Sequence, residues 1–141
     1  MRPRAPKPCS VYLEAATKSQ DFLTTKWVLR SCGHTIKSTW HEDSTLAFSG
    51  SQTHWSRARL EEMKSCDTLV VVRERDEQLP PELALFVGFA LARNLRVIWV
   101  GLPINTLEHF ASVRFFDTPD EFRHQLSRES DPRHAHDLLA A

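Results

Sequence analysis

Short, almost wholly apolar runs alternate with amphipathic stretches along most of this chain. Residues 67–72 and 95–101 are the clearest runs, and a continuous apolar run of this length is typical of a strand covered on both faces. Residues 9–14, 34–40 and 113–116 are rich in β-formers or alternate between apolar and polar positions, which predicts three further strands. The pattern therefore predicts five strands.

Apolar residues at helical spacing occupy the segments between the predicted strands. The spacing predicts helices over residues 18–32, 54–65 and 80–93, and Thr118 with Glu121 forms a capping box that opens a fourth helix. Strands that alternate with helices specify a parallel sheet with helices on both faces. The predicted fold class is therefore a three-layer α/β domain around a five-stranded parallel sheet.

Ligands of such sheets bind beyond the carboxyl ends of the strands, at the point where the strand order reverses. The residues that directly follow the predicted strands are therefore the first candidates for a functional site. We expect residues 9–129 to form one domain, with a disordered lead over residues 1–8 and a polar tail over residues 130–141.

The charge balance narrows the range of partners. The chain has 18 Lys and Arg against 18 Asp and Glu, so its formal net charge is zero. A neutral chain argues against a long nucleic acid or an anionic membrane surface as the main partner. No apolar run approaches the roughly 20 residues that cross a bilayer, so we expect no membrane partner.

The cysteines and histidines give little indication of a metal site. Cys9, Cys32 and Cys66 lie far apart and form no paired motif, which favours reduced thiols in the cytoplasm over a disulfide scaffold. His134 and His136 are two isolated histidines in the polar tail, which we interpret as solvent-exposed rather than as part of a metal-binding cluster. We therefore expect neither a bound metal nor a cofactor.

Several segments, taken in order, resemble the nucleoside 2-deoxyribosyltransferase family. They are VYLEAATKS at the first strand, SCGHTIKSTW at the second, CDTLVVV at the third and GFALARNLRVIWVG at the fourth. The resemblance continues through GLPINTLEHFASVRFFDTPDEF, which is similar to the end of short bacterial and phage members, and covers about residues 10–127. The 2′-deoxynucleoside 5′-phosphate N-hydrolases are similar as well. The resemblance implies a flavodoxin-like, Rossmann-like fold.

The resemblance also implies a reaction. The family cleaves or exchanges the N-glycosidic bond of deoxynucleosides or their 5′-monophosphates by double displacement, with a glutamate that attacks the anomeric carbon. That glutamate lies two residues before a helix glycine, here Gly88, so its position falls on Phe86. A phenyl ring can neither attack the sugar nor stabilise a cationic transition state as a carboxylate does.

Other positions depart from the family pattern together with Phe86. The family's aspartate two helical turns before Asp67 falls on Arg59, which we expect on a solvated face of mixed charge. Glu14 replaces a small residue of the first loop. Residues 79–81, Leu-Pro-Pro, replace a small polar turn, and proline offers no amide to a phosphate. These changes argue against the standard catalytic site.

Two displaced carboxylates are the catalytic candidates. Glu82 lies four residues before Phe86 on the same helix face, and Glu14 ends the first strand. The alternative is that Glu82 only stabilises its helix dipole and that Glu14 is partly solvated.

Further residues are candidates for ligand contacts. Lys18 and Ser19 follow the first strand, and the similarity to the 5′-phosphate hydrolases implies that they contact a 5′-phosphate; the alternative is a solvated helix start. Trp40 and His41 end the predicted second strand, where an aromatic ring can stack on a nucleobase or pack in the core. In the family, the loop after Gly101 helps close the site. The candidate ligand-binding residues are Tyr12, Ala16, Lys18, Ser19, Trp40, His41, Asp67, Phe86, Asn105 and His109.

Three functions stay open at this point. The leading one is a protein that binds a small-molecule nucleoside or nucleotide, deoxy or not, without the family's standard catalysis. The alternatives are an active N-glycoside hydrolase or transferase that uses Glu14 or Glu82, and a structural or regulatory subunit with a closed pocket. Because the family often completes each pocket with a neighbour's residues, the resemblance also implies a homodimer or larger homo-oligomer.

Overall fold

A computed structural model describes residues 9–42, 52–74, 81–104 and 112–130, together with residues 107 and 110. The side chains of residues 52–56 and 130 are outside this description. The predicted lead over residues 1–8 and the predicted tail beyond residue 130 also lie outside it.

Five strands of the described chain form one parallel sheet. The order across the sheet is β2-β1-β3-β4-β5, which is the flavodoxin-like order and confirms the predicted fold class. The strands are β1 (Ser10–Ala15), β2 (Thr35–Ile36), β3 (Thr68–Arg73), β4 (Arg96–Gly101) and β5 (Val113–Phe116).

Helices cover both faces of this sheet. Those in the described residues are α1 (Gln20–Ser31), α2 (Gln52–Lys64), α3 (Pro81–Ala92) and α4 (Pro119–Ser130). Helices α1 and α4 pack on one face and α2 and α3 on the other, so the domain has two apolar cores separated by the sheet. Within the described residues, no helix has the length and apolar character to cross a membrane.

Strand β1 contributes to both cores because successive side chains of a strand point to opposite faces. Val11 and Leu13 face α1 and α4, whereas Tyr12 faces α2 and α3. The central residues of β3 and β4 are buried throughout, as the apolar runs predict. The carboxyl ends of β1, β3 and β4 therefore meet at one edge of the sheet, between the two helix layers.

Two glycines have backbone conformations that other residues rarely adopt. Gly33 ends α1 with φ 85°. Gly101 ends β4 with φ 114°, and a Cβ atom there would lie 1.8 Å from the carbonyl oxygen of Arg73 on the neighbouring strand. The close approach of β3 and β4 at the carboxyl edge thus requires glycine.

The second strand is much shorter than predicted. Only Thr35–Ile36 pair with β1, so the prediction of a strand over residues 34–40 was wrong beyond residue 36. Side chains then replace the backbone ladder. The Leu13 N–H donates to Ser38 Oγ at 3.0 Å, and Trp40 Nε1 donates to the Leu13 carbonyl at 2.7 Å. Ser38 and Trp40 thus bond to β1, whereas the side chains of Lys37 and Thr39 bond to Ser65 and Glu62 on the other side.

Candidate functional site

A cavity of about 290 Å³ lies at the carboxyl end of β1, between helices α2 and α3 and the segment after β2. This is the edge where ligands of parallel sheets bind. The cavity brings together five of the residues that the sequence predicts for the site: Glu14, Ala16, Trp40, Glu82 and Phe86. It is also lined by Ala15, Leu83 and Arg59, which were not among those candidates.

Phe86 gives the cavity an apolar wall. It lies in the second turn of α3 and is fully buried, with its ring centroid 6.2 Å from that of Tyr12. The adjacent Leu83 is also buried on this side of the helix. The face of α3 that meets the sheet therefore offers no carboxylate at position 86, and its packing is that of a core residue.

Arg59 lies among a carboxylate and three aromatic rings. Its Nη2 is paired with Glu14 Oε2, and its Nε donates to the Tyr12 hydroxyl at 2.7 Å. Its guanidinium carbon is 4.5 Å from the Phe86 ring centroid, 5.3 Å from that of Trp40 and 5.9 Å from that of Tyr12. Cation–π attraction and the ion pair together hold the charge in this interior position.

The expectation of a solvated Arg59 was wrong. Arg59 is only 6% exposed, because the face of α2 that carries it packs against Tyr12 and Glu14 on β1. The alternative of a partly solvated Glu14 was wrong for the same reason, since this residue is 3% exposed. Each charge makes the burial of the other possible, as isolated buried ions are strongly disfavoured.

Both carboxylate oxygens of Glu14 have partners. Oε2 is paired with Arg59, and Oε1 accepts a hydrogen bond from the N–H of Ala15 at 3.0 Å. A carboxylate held in this way is less available to attack a substrate. Glu82 differs, because it is half-buried in the first turn of α3 and lines the same cavity.

Tyr12 contacts Arg59 from the buried side of the cavity lining. It is fully buried and lies outside the set of residues that line the cavity. Burial raises the pKa of Tyr12 to about 12, although the nearby Arg59 opposes this shift. The phenol therefore stays protonated near neutral pH and acts as a positioning group for Arg59.

Trp40 is fixed by contacts on both sides. Its indole N–H donates to the Leu13 carbonyl, and the His41 ring lies nearly perpendicular to the indole at a centroid distance of 5.4 Å. His41 is buried, and its Nε2 lies 2.9 Å from Ser38 Oγ. The structure thus places His41 behind Trp40, while Trp40 itself faces the cavity.

The environment of His41 keeps its ring neutral. Burial, reinforced by the nearby Lys26, lowers the pKa of His41 to about 4. Ser38 Oγ accepts from the Leu13 N–H and also lies within hydrogen-bond distance of His41 Nε2. His41 Nδ1 is buried, lies 3.6 Å from Glu42 Oε1 and has no hydrogen-bond partner among the described residues.

Other predicted site residues lie away from the cavity. Ser19 is the N-cap of α1, and its Oγ accepts from the Phe22 N–H at 3.2 Å. Lys18 is exposed beside it and does not line the cavity. Asp67 precedes β3 at the opposite, amino-terminal edge of the sheet, where it accepts from the Ser10 N–H at 3.3 Å.

The remaining two predicted residues, Asn105 and His109, lie outside the described residues. Among the residues that are described, no three His, Cys, Asp or Glu side chains are grouped closely enough to hold a metal ion.

A second cavity, of about 510 Å³, lies at the same edge on the side of α1 and α4. Its lining includes Asp21, Arg73 and Asp117 and none of the residues that the sequence predicts for the site. Burial raises the pKa of Asp21, and the nearby Glu74 and Asp120 carboxylates raise it further. We regard the smaller cavity as the candidate site because it joins aromatic walls to an enclosed ion pair and a partly accessible carboxylate.

Comparison with known proteins places this geometry in a known fold. No family model matches the sequence, and no curated protein matches it significantly. A solved structure of a 2-deoxyribosyltransferase from the psychrotolerant bacterium Bacillus psychrosaccharolyticus is similar, with a TM-score of 0.63 and 22% identity. The match covers 81% of this chain and 90% of that one. The chain has a 2-deoxyribosyltransferase-like fold.

At this level of identity the likeness concerns the fold alone. It agrees with the family that the sequence resembles and leaves the role of each residue to the local geometry. Arg59 is the one functional-site residue with a charge that sequence reasoning did not assign to the site. A signal for it existed, because Arg59 and Glu14 are departures of opposite charge from the same family pattern.

Proposed function

We propose that this protein binds a nucleoside or deoxynucleoside in the 290 Å³ cavity and does not carry out the displacement chemistry of the family that it resembles. The observation that carries the proposal is the joint lining by Trp40, Phe86 and the Glu14–Arg59 pair. Aromatic walls with a few placed polar groups are typical of small-ligand sites. The fold neighbour is a 2-deoxyribosyltransferase, which supports a ligand of this chemical class.

Volume and charge favour a nucleoside over a nucleotide. Ligand cavities usually measure about 300–1,000 Å³, so this one suits a small ligand. The charges of Glu14 and Arg59 offset each other, which leaves Glu82 as the remaining charge of the lining. A 5′-phosphate would meet a carboxylate there, and Lys18 and Ser19 do not line the cavity.

The chemistry of double displacement is poorly supported by these residues. Phe86 has no nucleophilic atom, and Glu14 would first have to leave Arg59. Removing one partner from a buried ion pair costs about 3–5 kcal/mol, which would add directly to the barrier. This cost and the missing carboxylate at position 86 favour binding without turnover.

One observation favours a second function. Glu82 is a partly accessible carboxylate in the cavity and lies one turn from Phe86, so it is the better-placed candidate for a displaced nucleophile in N-glycoside hydrolysis or transfer. The presence of the cavity argues against the third possibility, a structural or regulatory subunit with a closed pocket.

Binding and turnover can be tested on one panel of deoxynucleosides, ribonucleosides and their 5′-monophosphates. We expect a nucleoside at a hundredfold excess over its Kd to raise Tm by about 5–10 °C, with no free base detected by chromatography. Trp40→Ala should remove this shift. Trp27→Ala is the matched control, because Trp27 is 61% exposed on α1, across the sheet from the cavity.

Any of the following three outcomes would contradict the proposal. Base release by the unaltered chain that disappears in Glu82→Gln would establish the second function. Stabilisation by monophosphates alone would contradict the charge argument. A panel that gives neither stabilisation nor release would remove both functions.

A further inference from the structure

Glu82 is the charged side chain of the cavity lining that another residue of the lining does not balance. Both oxygens of Glu14 have partners, Oε2 in Arg59 and Oε1 in the N–H of Ala15. In the described part of the chain, no hydrogen bond or ion pair engages the Glu82 carboxylate. A half-buried carboxylate of this kind is available to a ligand, and a ligand that supplies hydrogen-bond donors offsets the cost of its desolvation.

Helix α3 holds Glu82 beside the apolar wall of the cavity. Glu82 precedes Phe86 by four residues, so both side chains lie on the same helix face, about 6 Å apart along the helix axis. Phe86 and the adjacent Leu83 are buried. A flat aromatic ligand that packs against this wall would therefore present one of its edges to the Glu82 carboxylate.

Arg59 argues against a cation as the partner of Glu82. Its guanidinium carbon is 4.5 Å from the Phe86 ring centroid and 5.3 Å from that of Trp40, so a positive charge already interacts with these rings. A ligand cation in the same cavity would be repelled by it. A carboxylate accepts hydrogen bonds and donates none, so the group that fits Glu82 is neutral and rich in donors.

The nucleobases differ in how many adjacent donors they offer to a carboxylate. Guanine carries two neighbouring donors on one edge, the ring N1–H and the exocyclic amino group, which match the two oxygens of a carboxylate. Adenine and cytosine place their amino group next to an acceptor nitrogen, and uracil and thymine flank one N–H with two carbonyl oxygens. An acceptor that faces a carboxylate is left without a donor, so these bases fit less well.

We propose that the cavity selects guanine nucleosides and that Glu82 is the residue that determines this specificity. Its two oxygens accept the N1–H and one amino hydrogen of guanine, while Trp40 and Phe86 contact the ring system. Two parallel hydrogen bonds to one carboxylate fix the orientation of the base as well as its identity. The inference rests on the proposed nucleoside-binding function and goes beyond it by naming the base.

The 2′- and 3′-hydroxyls of ribose are another pair of adjacent donors in a nucleoside. The base is the better partner, because Glu82 lies on the same helix face as Phe86 and next to Leu83. A sugar bound there would place its polar edge against these apolar side chains, at a cost in desolvation. Deoxyguanosine lacks the 2′-hydroxyl, so its affinity distinguishes the two arrangements.

The specificity is tested by equilibrium dialysis of the full chain against guanosine, deoxyguanosine, inosine, adenosine and cytidine. We expect guanosine and deoxyguanosine to bind alike and about 10- to 100-fold more tightly than adenosine and cytidine, the range that one bidentate contact gives. Inosine keeps the N1–H but lacks the amino group, so its affinity should fall between those of the two groups.

Glu82→Gln should reverse the preference. A glutamine amide presents one acceptor and one donor, which match the amino group and the N1 acceptor of adenine and mismatch guanine. The guanosine dissociation constant should rise about 10- to 100-fold, and adenosine should become the tighter ligand. The ratio of the two constants does not depend on the fraction of the variant that is folded.

Asp120→Asn is the matched control for the loss of a helix-start carboxylate. Asp120 lies in the first turn of α4 as Glu82 lies in that of α3, and α4 packs on the other face of the sheet. The control variant should bind all five nucleosides as the unaltered chain does.

The outcomes separate this inference from the proposed function. Nucleosides that bind without a preference for guanine would support the proposed function and overturn the inference. Much weaker binding of deoxyguanosine than of guanosine, or a guanine preference that Glu82→Gln leaves unchanged, would do the same. Binding of none of the five nucleosides would overturn the proposed function and the inference together.

Discussion

At the scale of single residues, the buried position of Arg59 determines how charge and aromatic rings are arranged in the site. The side chain is enclosed by Tyr12, Trp40 and Phe86 and paired with Glu14. Neither charge of this pair is stable alone in an apolar interior, whereas neutral replacement of both is often tolerated. The pair therefore makes stability depend on both residues at once.

We predict that Arg59→Met lowers the free energy of unfolding by about 3–5 kcal/mol, because it leaves the Glu14 carboxylate buried without its partner. Combining it with Glu14→Gln should recover most of that loss. Urea denaturation measures both effects. Arg57→Met is the control, since Arg57 is exposed on the same helix and its replacement should change stability by less than about 0.5 kcal/mol. Equal losses in the single and double variants would show that the ion pair is not responsible.

His41 makes stability depend on pH. Its pKa in the folded chain is about 4, below its ordinary value of 6.5, so the unfolded chain binds the proton first as pH falls. Stability is then complete above about pH 6.5 and declines as pH falls towards 4, by about 3 kcal/mol in total.

His41→Gln should flatten this decline. Denaturation curves at intervals between pH 7 and 4 would show it as a difference from the unaltered chain. The comparison is needed because burial also lowers the pKa of His34, which contributes in the same direction. The lowered pKa of Glu42, about 2, acts below pH 4.5 and lies mostly outside the window. Parallel curves for the two proteins would exclude His41 as the cause.

At the scale of elements, the segment after β2 shows how side chains can extend a sheet. Ser38 and Trp40 bond to the two backbone groups of Leu13 that a longer strand would have satisfied. The same contacts fix the Trp40 ring at the edge of the cavity. The short strand therefore leaves Trp40 free to turn its aromatic ring towards the cavity.

We predict that Ser38→Ala lowers the free energy of unfolding by about 1–3 kcal/mol, because the buried Leu13 N–H loses its acceptor. It should also weaken ligand binding, since the turn that orients Trp40 is loosened. Urea denaturation and thermal shift give the two readouts. Ser127→Ala, at an exposed position of α4, should leave both unchanged. A fully stable Ser38→Ala variant would show that water replaces the hydroxyl.

The predictability of each element follows from its physical origin. Strands β3 and β4 could be predicted because burial on both faces demands continuous apolar runs. The length of β2 could not, because polar–apolar alternation fits side-chain bonding as well as a strand ladder. Likewise topology placed Glu14 and Trp40 at one edge, and the family resemblance added Phe86 to them. The burial of Arg59 was missed because it depends on a partner 45 positions away.

At the scale of the whole molecule, the two helix layers border two different cavities. The carboxyl edge of the sheet opens into one cavity on the side of α2 and α3 and another on the side of α1 and α4. The first has aromatic walls and an internal ion pair, and the second is lined by two carboxylates, one arginine and uncharged residues. The inner face of helix α3 lines the first cavity, and the outer face of this helix is an exposed apolar surface.

The Glu14–Arg59 pair also constrains how such a chain can change over generations. The two residues belong to different elements, and a change to a neutral residue at either one leaves the other's charge buried without its partner. A lineage that acquires or loses the pair one position at a time therefore passes through this disfavoured state. Descendants of this chain should therefore inherit both charges or neither, and that joint inheritance would mark the lineage even where overall similarity has faded.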